Sequence, residues 1–106
     1  MTQPLTLTTT RRPDGTTVLN VAGEIDMGNA DTFSAAVSRA VDESGAAPAV
    51  VDLTGVGYLD SAGLVALFTH ASRIEVVAGP LLGPVLTISG LTEVTTVHSV
   101  DGTRLT

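Results

Sequence analysis

The five residues Ala49-Val50-Val51-Asp52-Leu53 form a short, nearly continuous apolar run bounded by turn residues. Such a run suits a central parallel strand covered on both faces, and a parallel strand must be entered and left through crossover segments. The chain supplies them on both sides. Upstream, Asn29 stands as a helix N-cap, and Phe33, Ala36, Val37, Ala40 and Val41 recur at helical spacing until Ser44-Gly45 closes the segment. Downstream, a loop Thr54-Gly55-Val56-Gly57-Tyr58-Leu59 leads to Asp60-Ser61-Ala62-Gly63. Leu64, Leu67, Phe68 and Ala71 then share one face of a second helix that runs from near Ser61 to Arg73.

Near the start, Leu5 and Leu7 alternate with threonines, and Asp14-Gly15 turns the chain into Thr16 to Ala22, the pattern of an antiparallel hairpin. Ile74 to Ala78 reads as a fourth strand, Pro84 to Ser89 as a short helix entered by proline and left at Gly90, and Thr95 to His98 as a last strand. Alternating strands and helices of this kind predict an α/β domain, a mixed sheet flanked by helices. With 106 residues the chain is read as one domain, its core over about 4–99 and a C-terminal tail over 100–106.

Composition narrows the functions open to such a domain. Five cationic residues, all arginine, face eleven carboxylates, and a net charge of -6 works against the phosphate neutralisation that drives nucleic-acid binding. Nucleic acid and acidic membranes are therefore not expected as direct partners. There is no cysteine, so thiolate nucleophiles and cysteine zinc sites are excluded, as a reducing compartment allows. Nor is there a lysine to form a Schiff base or contact a phosphoryl group. The opening Met1-Thr2-Gln3-Pro4 lacks the basic start and apolar run of a secretion signal, and no apolar stretch approaches the roughly 20 residues of a membrane span. A cytoplasmic protein is expected.

The constellation with chemical potential is Asp60-Ser61-Ala62-Gly63, where a buried strand's loop feeds a helix. Asp60 is the natural N-cap, and Ser61 falls in the first turn with its hydroxyl toward solvent. Unpaired N–H groups and the positive end of the helix dipole favour a phosphate there by roughly 0.3–1 kcal/mol, before repulsion by nearby carboxylates. Two readings of Ser61 stand side by side, a modification site and one half of an ordinary capping pair. Right-handed crossovers open the loops after strands two and three at the same end of the sheet, bringing Gly23-Glu24-Ile25-Asp26 toward Asp60-Ser61. Glu24, Asp26 and Asp60 offer oxygen ligands of the kind that bind magnesium, but carboxylates at strand ends more often act as caps, and no metal or other cofactor is expected. Serine hydrolase chemistry needs a base beside the nucleophile. His70 lies nine residues after Ser61, on the opposite side of the same helix and about two and a half turns away, and Leu59-Asp60-Ser61-Ala62-Gly63 lacks the first glycine of a nucleophile elbow. Between Val76 and Thr92 no side chain is charged, which suits either core packing or a docking or self-association patch.

Three stretches resemble the STAS domain of bacterial anti-sigma factor antagonists: Val21-Ala22-Gly23-Glu24-Ile25-Asp26, the long motif Val50 to Leu64, and Ile88-Ser89-Gly90-Leu91. The resemblance spans nearly the whole chain. It implies a small mixed sheet of four to five strands with helices mainly on one face, and a binding protein rather than an enzyme. It implies that Ser61 is the serine phosphorylated by an anti-sigma factor with kinase activity, with Asp60 its motif neighbour and Asp26 the aspartate of the facing loop. Glu24, Asp26, Asp60, Ser61, Ala62 and Gly63 then form the partner-binding surface of a monomer or weak dimer. The unmodified form would bind the anti-sigma factor and free the sigma factor, and a phosphatase would reverse the modification. An alternative is an unphosphorylated regulatory subunit, like the lone STAS domains that resemble cytoplasmic components of lipid-transport complexes. A receiver-like phosphoaspartyl enzyme ranks below both because lysine is missing. Two departures from the family pattern stand out: Arg73 runs directly into Ile74, which shortens the second helix or the fourth strand, and the third helix carries no charge.

Overall fold

The computed structural model describes residues 3–100 and Leu105. Its elements, in chain order, are β1 (Thr6–Arg11), β2 (Thr17–Ile25), α1 (Ala30–Ser44), β3 (Ala49–Leu59), α2 (Ser61–Thr69), β4 (Ile74–Ala78), α3 (Gly83–Ser89) and β5 (Thr96–Ser99). The five strands lie in the order β1-β2-β3-β4-β5; β1 runs antiparallel to β2, and the other pairs are parallel. The expected mixed sheet is therefore present, with five strands. Most of the tail over 100–106 and the first two residues of the chain lie outside the described residues.

Register explains which face is covered. Leu19 pairs with Val51, Val51 with Val76, and Val76 with Val97, so one row of side chains crosses four strands on the same side of the sheet. All four are buried and join one core with Phe33 and Val37 of α1, Leu67 of α2 and Leu86 of α3. Burying each such side chain contributes about 1.5–3 kcal/mol relative to leaving it in water. The neighbouring row, Asn20, Asp52, Val77 and His98, faces the other way and is only half-buried. On that open face His98 Nε2 lies 3.2 Å from Glu75 Oε1, which places this histidine on β5 in a pairing of its own.

The sequence-based picture needs correction in three places. The predicted loop from Thr54 to Leu59 is strand: β3 continues for 11 residues, seven of them beyond the end of its pairing with β4 at Asp52. That segment pairs with β2 alone, and β3 gains two residues on β2 through irregularities between Asn20 and Ala22 and between Gly23 and Glu24. Local bulging of this kind breaks the alternation by which a strand is recognised. Gly55 suits this stretch, because a Cβ there would be tightly placed, 3.0 Å from Ala22 Cβ and 3.1 Å from the Val21 carbonyl oxygen.

The second helix ends at Thr69, and the chain reaches β4 through a 3-10 turn, Ala71–Arg73, so the helix and not the strand accounts for the shortened connection. Phe68 is accordingly 39% exposed, and the inner face of α2 is built from Gly63, Ala66 and Leu67. The uncharged stretch divides between both of its readings. Val76, Ala78, Leu82, Leu86 and Leu91 are core, while Leu81, Val85 and Ile88 point outward.

Candidate functional site

The extension of β3 delivers Asp60 and Ser61 to the end of β2. Glu24 pairs with Tyr58 and Ile25 with Leu59, and the Asp60 N–H donates to the Ile25 carbonyl at 3.1 Å. Asp60 then caps α2 as expected: its Oδ1 accepts from the Ala62 N–H at 3.0 Å and from the Gly63 N–H at 3.3 Å. The capping carboxylate thereby satisfies two of the N–H groups that a helix start leaves open. Ser61 follows as the first residue of α2 and is exposed.

The facing loop is braced by Asn29. This residue occupies the N-cap position of α1, yet its side chain does not cap that helix. Its Oδ1 accepts from the Asp26 N–H at 2.9 Å, and its Nδ2 donates to the Glu24 carbonyl at 2.9 Å, so the turn between β2 and α1 is tied to the helix that follows. Asp26 in turn accepts from the Gly28 N–H at 2.9 Å. The sequence pattern marks Asn29 only as a cap; the bracing role depends on the path of the loop, which no local spacing reveals.

Of the predicted site residues, Glu24, Asp26, Asp60 and Ala62 are half-buried, Ser61 is exposed and Gly63 is buried. The loop carrying Glu24 and Asp26 and the turn carrying Asp60 to Gly63 do come together at one end of the sheet, through the Ile25–Asp60 bond. Gly63 acts as the joint between them. A Cβ at this position would lie 2.3 Å from Leu59 Cδ1 and 2.9 Å from Ile25 Cγ2, so with glycine α2 settles onto the ends of β2 and β3 without displacing either side chain. The carboxylates of Asp26 and Asp60 are engaged by backbone N–H groups, and among the described residues no three metal-ligating side chains gather.

His70 ends α2, and its Nε2 lies 3.5 Å from Ser34 Oγ on α1, while His98 pairs with Glu75 on the open face. Each histidine thus has its own setting, and among the described residues neither is hydrogen-bonded to Ser61. Among the described residues no helix is long and apolar enough to cross a membrane.

Comparison with known proteins bears on this arrangement. The model of the STAS domain matches residues 8–82, a span that includes both loops of the site. An anti-sigma factor antagonist from Mycobacterium paratuberculosis is 30% identical, with a TM-score of 0.80 over 92% of this chain and 89% of that one. The anti-sigma factor antagonist SpoIIAA in its unphosphorylated form is similar at 16% identity, with a TM-score of 0.63 over 91% of this chain and 90% of that one. A DUF3478-family protein with a SpoIIAA-like fold from Shewanella loihica superposes with a TM-score of 0.62 at 13% identity, over 93% and 87% of the two chains. At these lower identities the last two likenesses are of fold alone. No curated protein sequence matches the chain. The matched span, the five-stranded sheet and the 30% identical relative agree: this chain belongs to the STAS domain family.

Proposed function

We propose that the protein is an anti-sigma factor antagonist acting in the cytoplasm, a binding module without catalytic activity of its own, switched by phosphorylation of Ser61. The observation that carries this reading is the exposed Ser61 hydroxyl at the first position of α2, beside the capping carboxylate of Asp60 and the braced loop of Glu24 and Asp26. In the unmodified form, this end of the sheet docks onto an anti-sigma factor with serine kinase activity and so frees the sigma factor.

In the modification step, Ser61 Oγ forms a bond to the γ-phosphorus of ATP as the bond to the bridging oxygen breaks. ADP leaves, and the hydroxyl proton passes to a base on the kinase. The kinase supplies the nucleotide and its metal, so this chain needs no phosphate-binding loop. A phosphatase reverses the step by delivering water to the phosphorus.

Phosphorylation adds about -1.5 to -2 charges. The helix start tolerates this group, because its N–H groups and dipole favour an anion, so the domain has no reason to refold. Docking is another matter. An interface that has to bury an unpaired charge beside Asp60 loses about 2–5 kcal/mol, or roughly a 30- to 4,000-fold drop in affinity.

Intact-mass measurement after incubation with candidate anti-sigma factor kinases and ATP tests the proposal. One phosphate is expected on the wild-type protein and none on Ser61→Ala. No addition with any active candidate kinase, or equal addition to the variant, contradicts it.

A further inference from the structure

Next to Ser61, the start of α1 and the outer side of α2 enclose a groove of about 420 Å3. Its apolar lining comes from Ala30, Ala62 and Ala66, and from Met27 and Val65. These two are large apolar side chains in water, Met27 being 83% and Val65 63% exposed. The hydroxyls at the far end are already engaged: Thr69 Oγ1 donates to the Val65 carbonyl at 2.7 Å, and Ser34 Oγ lies 3.5 Å from His70 Nε2.

The charge lining the groove is acidic. Asp31 in the first turn of α1 lines it, Asp26 and Asp60 lie in the adjoining loops, and no arginine is among the lining residues. Arg11 and Arg12 sit at the opposite end of β2, and Arg73 donates to the Gly45 carbonyl beyond the far end of α1. Ser61 and Val65 are four residues apart on α2 and therefore neighbours on one helix face, about 5–6 Å between Cβ atoms. A phosphoryl group on Ser61 would stand at the mouth of the groove.

We infer that this groove is the anchor point for the anti-sigma factor, an inference that rests on the functional reading above. The partner inserts one bulky apolar side chain between Met27 and Val65, and an arginine or lysine beside it faces Asp31 and the loop carboxylates. Anchors of this kind carry most of an interface's affinity, while rim charges mainly set the rate of association. The arrangement also explains the reach of the switch, because a dianion at the mouth opposes desolvation of the apolar anchor one helical turn away.

The test is calorimetric titration of the full chain with the anti-sigma factor kinase that phosphorylates it, alongside the association rate. Met27→Ala and Val65→Ala are each expected to weaken binding about tenfold, and the pair about a hundredfold. Asp31→Asn is expected to slow association severalfold. Ile88→Ala, which trims an equally exposed apolar side chain on α3, is expected to change affinity less than twofold. Both groove side chains are exposed, so urea midpoints of the variants should match the wild type. If the wild type binds and is phosphorylated while Met27→Ala and Val65→Ala bind as tightly, the groove is not the anchor and the functional reading stands. If no anti-sigma factor binds the wild type, both fall. A wild-type dimer in sedimentation that Val65→Asp dissolves would make the groove a self-association surface and overturn the inference.

Discussion

At the scale of single residues, Asp60 and Ser61 divide two tasks that the sequence places side by side. Asp60 is structural: its Oδ1 holds two N–H groups at the start of α2. Asp60→Ala should cost about 1 kcal/mol, within the 0.5–2 kcal/mol range of lost caps, read as a lower urea midpoint at unchanged slope. Asp60→Asn, which still accepts these bonds, should recover most of it. Ser61 is the variable part. Ser61→Ala should bind the anti-sigma factor like the wild type, whereas Ser61→Asp should lose much of the affinity, and a pull-down with the purified factor separates the two.

In the hairpin turn, the Asp14 carboxyl lies below its ordinary value of 3.8 because the Thr16 side chain and backbone N–H donate to it, with Arg12 close by. A carboxyl lowered in the folded state adds stability that is present above the unfolded value and lost as pH falls through the folded one. Asp14→Ala should therefore lower the urea midpoint slightly at pH 7, and the gap should start to shrink as pH falls below about 4 and vanish only beneath the lowered folded value. The capping role of Asp60 and the turn at Asp14-Gly15 are legible from residue types alone, since both depend on chemistry within three residues. The bracing by Asn29 is not, because its partners Glu24 and Asp26 are set by the path of the loop.

At the scale of elements, the site depends on how α2 meets the ends of β2 and β3. The closest point is Gly63, where any Cβ would run into Leu59 and Ile25. Gly63→Ala should cost about 1–3 kcal/mol as an overpacked joint. It should also shift the backbone resonances of residues 24–26, which share the joint through Ile25. Wild-type stability and an unshifted loop in Gly63→Ala would show that the joint is looser than described. The helices α1 and α3 are readable in the sequence because a 3.6-residue apolar period and the proline and glycine at the ends of α3 are local signals. The second half of β3 hides from the same reading. Its glycines and its burial at Val56 and Leu59, three residues apart, come from bulged pairing with β2 alone, so the two-residue period of a strand is lost. The inward placement expected for Phe68 fails for a related reason: α2 stops at Thr69, and Gly63, Ala66 and Leu67 already form its buried face.

At the scale of the whole molecule, one row of four apolar residues ties the parallel strands together on the helix side. Leu19→Ala, in that row, should cost about 2–5 kcal/mol, enough to threaten a domain of ordinary stability. Hydrogen exchange should then accelerate across β2, β3 and β4 together. The same architecture leaves the functional end independent of the core, since Ser61 is exposed and its helix is held by Asp60 and Gly63. The proposed switch at Ser61 would therefore act on the surface and leave the fold as it is. The measurement that tests this most directly is the dissociation constant of the anti-sigma factor for the unmodified protein and for the protein phosphorylated stoichiometrically on Ser61, with circular dichroism of both forms. Superimposable spectra are expected, with a constant raised about 30-fold or more by the phosphate. Equal affinities, or a loss of affinity accompanied by unfolding, would contradict it.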